Sequence, residues 1–222
     1  MSQKTAWEQE YTQEKGVPTS TRTKPSSAVV RLTEYIQTHN LSIGKHALDV
    51  GCGAGRNSIY LAQQGFQVTA IDFARPALDR MQTTIQNERL EDQITAQQCD
   101  LTGQLPFDDN SFDCAIDIVS TISLTPEEMR NLEQELRRIV KPGGLFLTYV
   151  HSRDDGYLAE AAPGRTSYTI EGLTDHTWAE EELRKLYEKW EVLALDKTEK
   201  LDDFYGKQYT RRIWWMLLKN SK

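Results

Sequence analysis

The stretch ALDVGCGAGRNSIYLAQQGFQVTAIDFA, Ala47–Ala74, decides the fold. It begins on the end of HALDV, a short apolar run that reads as a strand, and turns through glycines 51, 53 and 55. Arg56–Gln64 then carries helical spacing, and FQVTAID reads as the next strand, ending on Asp72. A strand, a glycine turn, a helix and a second strand in this order describe a parallel pair joined by a crossover.

The same rhythm continues outward. Arg75–Glu88 reads as a helix, ITAQQC and FDCAIDIVS as strands, Pro126–Val140 as a helix closed by KPGG, and LFLTYV as a strand. Upstream, PSSAVVRLTEYIQ predicts a helix with proline in its first turn and Val29, Leu32 and Ile36 on one face. Downstream, TWAEEELRKLYEKW predicts a helix started by Thr177, then EVLALDK and YTRRIWWMLL predict two hairpin-like strands. Ile213–Leu218 is apolar at every position, so the last strand is expected inside the sheet, with Trp214 and Trp215 in the core. The expected fold is α/β: a doubly wound, mainly parallel seven-stranded sheet with helices on both faces and an antiparallel last strand. No internal repeat is visible.

Composition is consistent with this. A chain of 222 residues with 38% hydrophobic and 27% charged residues suits one packed domain. Residues 25–222 are read as that domain, with a cofactor half at 45–150 and a substrate side with the terminal hairpin at 151–222. Residues 1–24 read as a polar helix and loop outside the core. The net charge of −7 disfavours a nucleic-acid partner. No apolar run is long enough to span a bilayer, and the start MSQKTAWEQEYTQEKG is polar, so a cytoplasmic protein without a membrane partner is expected. Oligomeric state is not readable. Cys52, Cys99 and Cys114 lack paired metal spacing and are expected as buried thiols; no metal site is expected.

The glycine spacing bears on the ligand. A dinucleotide fingerprint wants its third glycine where Arg56 stands, so a nicotinamide-dependent oxidoreductase is a disfavoured rival. The turn still permits close approach of a ligand to the backbone, and the following helix offers free N–H groups to an anionic end. Asp72 closes the second strand where a carboxylate can hold a ribose, and Asp100 closes the third within reach of an adenine edge. These features together suggest an adenosine carrying an amino-acid tail.

In LDVGCGAG, VTAID, CDL, LPFDDNSFDCAID and RIVKPGGLFLT, in this order, residues 45–150 resemble the class I S-adenosylmethionine-dependent methyltransferases. The resemblance implies S-adenosyl-L-methionine as methyl donor, with Gly51, Cys52, Gly53 and Gly55 lining its methionine part and Asp49 near its amino group. Asp72 would hold the ribose, Phe73 would pack on the adenine, and Asp100 with Leu101 would read its edge. Asp117 and the residues to Ser120 would face the sulfonium and a small-molecule acceptor. The family also implies that residues 1–24 form a lid bringing Trp7 and Tyr11 over the pocket. His151, His176 and Tyr11 are candidates for substrate contact or a catalytic base; no base is demanded by a displacement that mainly needs alignment. Arg211 and Arg212 read as meeting surface carboxylates. A methyltransferase acting on RNA or protein, or a non-catalytic S-adenosylmethionine-binding module, are the alternative readings.

Overall fold

The computed structural model describes residues 3–13, 18–161, 163–170, 172–204 and 207–222. In chain order the elements begin with α1 (Gln3–Gln13), α2 (Pro18–Thr21), α3 (Ser27–Thr38), β1 (His46–Val50), α4 (Arg56–Gln63) and β2 (Gln67–Asp72). Next come α5 (Arg75–Glu88), β3 (Ile94–Gln98), β4 (Phe112–Ile118), a 3₁₀ turn (Thr121–Ser123), α6 (Pro126–Ile139) and β5 (Val140–His151). The last part holds α7 (Gly156–Ala161), β6 (Ser167–Ile170), β7 (Leu173–His176), α8 (Glu180–Leu186), β8 (Trp190–Phe204) and β9 (Lys207–Asn220).

Seven strands form one sheet in the order β3-β2-β1-β4-β5-β9-β8. β1 pairs in parallel with both β2 and β4, whereas β9 runs antiparallel to β5 and to β8. The chain therefore winds outward from β1 in two directions. Between β1 and β4 the connections leave on opposite faces, which opens a crevice outside the carboxyl ends of the strands.

Both faces of the sheet are covered. One layer packs Leu32, Leu61, Met81 and Ile85 from α3, α4 and α5 against the sheet, and the other packs Met129, Leu132, Leu136 and Leu183 from α6 and α8. β9 serves both layers by alternation. Ile213, Trp215 and Leu217 join the first, and Trp214, Met216 and Leu218 the second, which places this strand inside the sheet as its apolar run requires. The indoles are tied down as well: Trp215 Nε1 donates to Ala28 O at 3.0 Å and Trp214 Nε1 to Trp178 O at 2.8 Å.

Three local expectations are corrected. Pro25 lies outside its helix, because Ser26 is the N-cap and its hydroxyl accepts from Ala28 N. Thr177 does not start α8; its hydroxyl donates to Thr166 O, and the helix begins at Glu180 with Glu182 accepting from Ala179 N at 2.9 Å. The KPGG run is not a loop between α6 and a later strand. Val140 already pairs with Phe112, the register resumes at Cys114–Leu145, and residues 141–144 form a bulge in β5. No disulfide forms, and the three cysteines are buried thiols. Among the described residues no helix is long and apolar enough to cross a membrane.

Candidate active site

A cavity of about 450 Å³ lies in the crevice at the carboxyl ends of β1, β2, β3 and β4. Its floor is the glycine turn. Cys52 N donates to Ile71 O at 3.0 Å, and Gly53 N donates to Asp72 Oδ2 at 2.8 Å, while Ala74 N donates to Asp72 Oδ1 at 2.8 Å. One carboxylate thus fixes both the β1–α4 and the β2–α5 turns. Gly53 has φ +55°, and a Cβ there would strike the Tyr11 hydroxyl. At Gly51 it would strike the Ser120 side chain, and at Gly55 the Met81 side chain. The spacing of the three glycines therefore records three close neighbours on three different elements.

The roof of this cavity is α1. Gln3 Nε2 donates to Ser123 O and to Thr174 O, both at 2.8 Å, and Lys4 pairs with Asp100. Trp7 Nε1 reaches Ser123 Oγ at 3.4 Å, and Arg80 donates to the Tyr11 carbonyl. Tyr11 packs on Ala74 and Ala77, with Trp7 and Phe73 beside it. Burial, with Asp72 adding to it, raises the Tyr11 phenol well above its ordinary range. Tyr11 is consequently a neutral phenol near pH 7 and no base there.

Most of the expected cofactor residues come together. Gly51, Cys52, Gly53, Asp72, Phe73, Asp100 and Leu101 line this cavity, as does His176. Asp100 accepts from Thr102 N at 3.0 Å and Thr102 Oγ1 at 2.9 Å; partial burial works against its charge, but Lys4 and Thr102 hold the carboxyl below its usual value. Three residues stand behind the surface. Asp49 is buried under the turn and accepts from Ser58 Oγ at 2.5 Å, and burial pushes its carboxyl up to about 7. Gly55 is the N-cap of α4 and is packed on Met81. Asp117 is the clear correction. It is fully buried and does not line the cavity, accepting instead from Ser120 N and Oγ, Thr121 N and Oγ1, and Thr148 Oγ1. Its work is to shape the turn after β4, whose residues Ile118, Val119 and Ser120 do line the cavity.

That turn holds the strained point of the site. Val119 has φ +62°, a conformation that a β-branched residue rarely adopts. Val119 also lines a second cavity of about 510 Å³, which shares Trp7, Arg22 and Arg56 with the first. The two cavities thus meet at one gate. His151 lines the second cavity rather than the first, and it is 5% exposed. Arg211 Nη2 donates to His151 Nε2 at 3.0 Å, so the ring proton sits on Nδ1; burial, then Arg211, push the imidazole well below its ordinary value. The nitrogen that could accept a proton is already occupied, and His151 is no general base.

Arg211 departs from its expected surface role. It is buried and bound to Asp155 through contacts of 2.8 and 3.0 Å, whereas Arg212 does pair with exposed Glu199. Sequence reasoning missed Asp175 and Tyr168, brought together by the β6–β7 hairpin. Tyr168 OH donates to Asp175 at 2.6 Å, Ser123 Oγ donates at 3.1 Å, and burial raises the Asp175 carboxyl. The signal available was the short turn around Gly172, at φ +86°, between two brief runs. His176, on the same hairpin, is lowered by partial burial, against the pull of Asp175.

The cofactor can be tested against these residues. Asp72 has spent one lone pair of each oxygen on the backbone and retains others for two ribose hydroxyls. Phe73 supplies an apolar face, and the glycine turn admits a ligand to within backbone distance. The donor set and the cavity fit an adenosine with an amino-acid tail. Among the described residues no group of His, Cys, Asp and Glu is arranged to hold a metal.

A crevice at the switch point of a doubly wound sheet is a common setting for nucleotide-type ligands. The comparisons narrow this. Residues 47–144 match the family described as Methyltransferase domain. An uncharacterized methyltransferase of Synechocystis sp. is 33% identical over 48% of this chain and 47% of its own. Sterol 4-C-methyltransferase strm-1 of Caenorhabditis elegans is 29% identical over 75% of this chain and 49% of its own. Among solved structures, Burkholderia thailandensis 1,6-didemethyltoxoflavin-N1-methyltransferase, with 1,6-didemethyltoxoflavin and S-adenosylhomocysteine bound, superimposes with a TM-score of 0.75. It is 20% identical, over 99% of this chain and 87% of its own. The chain spans about half the length of the curated relatives cited here. Residues 47–144 are thus similar to a methyltransferase domain, and the chain has the fold of solved S-adenosylmethionine-dependent methyltransferases.

Proposed function

We propose that the chain transfers a methyl group from S-adenosylmethionine to a small-molecule acceptor seated in the second cavity. The observation that carries this reading is the gate formed by Trp7, Arg56 and Val119, where a cofactor cavity opens onto a separate cavity of small-molecule size. The small-molecule enzyme of Burkholderia thailandensis, similar over nearly the whole chain, supports it.

When bound, S-adenosylmethionine supplies a methyl group on a positively charged sulfur, open to direct displacement by a nucleophile. The residues' task is alignment. Asp72 accepts from the ribose, Phe73 packs on the adenine, and Asp100 with Leu101 borders its edge. The Gly51–Gly53 backbone receives the methionine part, with Asp49 beneath it. Asp117 holds the β4 turn so that Val119 stands between donor and acceptor. Such positioning supplies about 7–11 kcal/mol, more than the 3–5 kcal/mol or so of a general base. α1 closes the cofactor side as a lid and keeps water out.

The test is calorimetry with S-adenosylhomocysteine, followed by labelled methyl transfer to a panel of thiol, amine, hydroxyl and chalcogen acceptors. Asp72→Ala removes a charged hydrogen-bond acceptor worth about 1.5–3 kcal/mol, so affinity is expected to fall roughly tenfold to a hundredfold. Absence of binding by the wild type sinks the reading; unchanged affinity in a folded Asp72→Ala protein removes the ribose assignment.

A further inference from the structure

The charge inside the second cavity is opposite to that of the chain. The protein carries −7 overall, yet this cavity is walled by five cationic side chains and two carboxylates. Asp202 is shared, since Arg22 binds it through two contacts of 2.8 Å and Lys200 through one of 3.1 Å. Arg211 is matched by Asp155 behind it. Asp175 is engaged by the Tyr168 and Ser123 hydroxyls. Among the described residues, Arg56 and Lys24 make no ion pair; Arg56 Nη1 donates only to the Lys24 carbonyl, at 3.1 Å. Cations held against low-dielectric walls focus a positive potential into the space they enclose.

Behind this wall His151 Nδ1 carries a buried N–H closed off from the cavity, and its other nitrogen accepts from Arg211, so the ring brings no negative charge to the space. The remaining walls bring aromatic and apolar side chains, Tyr149, Tyr157, Ile122 and Ile213 among them, beside the hydroxyl residues Thr21, Thr23, Ser26 and Ser27. A volume of about 510 Å³ with such walls exceeds what an inorganic oxyanion fills.

We infer that the acceptor is an organic carboxylate with an apolar or aromatic body, its anionic group held by Arg56 and Lys24. This rests on the methyl-transfer reading above and specifies its substrate class. The body lies against the tyrosines, and the carboxylate near Arg56 sets which atom of the acceptor reaches the gate.

The experiment uses the full chain saturated with S-adenosylhomocysteine, so that cofactor binding is measured first and separately. Matched pairs are then titrated calorimetrically: 4-hydroxybenzoate against 4-hydroxybenzamide, 3-phenylpropionate against its amide, indole-3-acetate against its amide, and inorganic phosphate alone. At least one carboxylate is expected to bind about tenfold or more tightly than its amide, as a charge-assisted contact implies. Arg56→Gln and, separately, Lys24→Gln are expected to shrink that preference, and phosphate is expected not to compete. Equal affinity within every pair overturns the inference, as does phosphate binding in place of the carboxylates. So does a loss confined to S-adenosylhomocysteine affinity in Arg56→Gln, which would assign that cation to the cofactor. Failure of the wild type to bind S-adenosylhomocysteine overturns the methyl-transfer reading itself.

Discussion

Gly53→Ala tests the seating of α1 on the glycine turn. At φ +55° a residue with a side chain costs about 1–2 kcal/mol in the left-handed region, whatever surrounds it. The added methyl also falls on the Tyr11 hydroxyl, and overpacking of this kind costs about 1–3 kcal/mol. The two contributions can be separated. With phenylalanine at position 11 the nearest ring atom would stand at 3.4 Å from the new Cβ, an ordinary contact, so Tyr11→Phe removes the steric part and leaves the backbone part. Gly53→Ala is thus expected to destabilise by about 2–5 kcal/mol in the parent and about 1–2 kcal/mol in the Tyr11→Phe background. The coupling energy is about 1 kcal/mol or more, favourable to the double mutant. Urea unfolding of the four proteins measures it, with S-adenosylhomocysteine titrations alongside to follow the turn's function. Coupling indistinguishable from zero would refute the placement of Tyr11 over Gly53, and with it the closed position of α1.

Asp49 carries a pH signature. Its carboxyl stands near 7 in the folded chain, mainly through burial and against the Ser58 hydrogen bond, compared with about 3.9 unfolded. Between these values the folded state keeps a proton that the unfolded state has lost. The stabilisation is therefore present below about pH 4 and is lost as pH rises through about 7, an effect of the order of 4 kcal/mol at most. Asp49→Asn should remove this slope, so urea midpoints of mutant and parent from pH 4 to 8 should diverge in the mutant's favour up to 7 and then run level; a constant difference contradicts the buried acid. Deleting residues 1–24 strips Trp7 and Tyr11 from the cavity and uncovers Ala74 and Ala77 while leaving the sheet intact. The truncated chain should melt cooperatively near the parent, bind S-adenosylhomocysteine more weakly and turn over more slowly. In the full chain, S-adenosylhomocysteine should protect the segment from protease; equal cleavage with and without it ends the lid reading.

That the residues expected at the cofactor share one cavity was legible because they hang on consecutive strand-to-helix turns. Gly51, Asp72 and Asp100 each end a strand or open the turn after it, so their spacing along the chain maps onto neighbouring positions along one sheet edge. What such spacing cannot report is the direction of a side chain. Asp117 occupies an equivalent strand end, yet Ser120, Thr121 and Thr148 claim its carboxylate, and Thr148 lies on another strand. A strand-end acid faces the crevice unless hydroxyls gather behind it, and their gathering is a tertiary fact.

The second cavity was hardly legible at all, for a related reason. Its walls come from the segment between α1 and α3, from β5, α7 and the β6–β7 hairpin, and from β8 and β9. Arg211 read as a surface residue because arginine at a strand start usually is one; only the β5–β9 pairing, with His151 opposite Ile213, brings it beside His151. Asp175 lies on a strand of four residues, too short for alternation to mark. A cofactor common to many enzymes can be held by a local motif that recurs. The proposed acceptor has no such motif to hold it: the second cavity is built by distant segments that the fold brings together, and these surround a positive space in a negative protein.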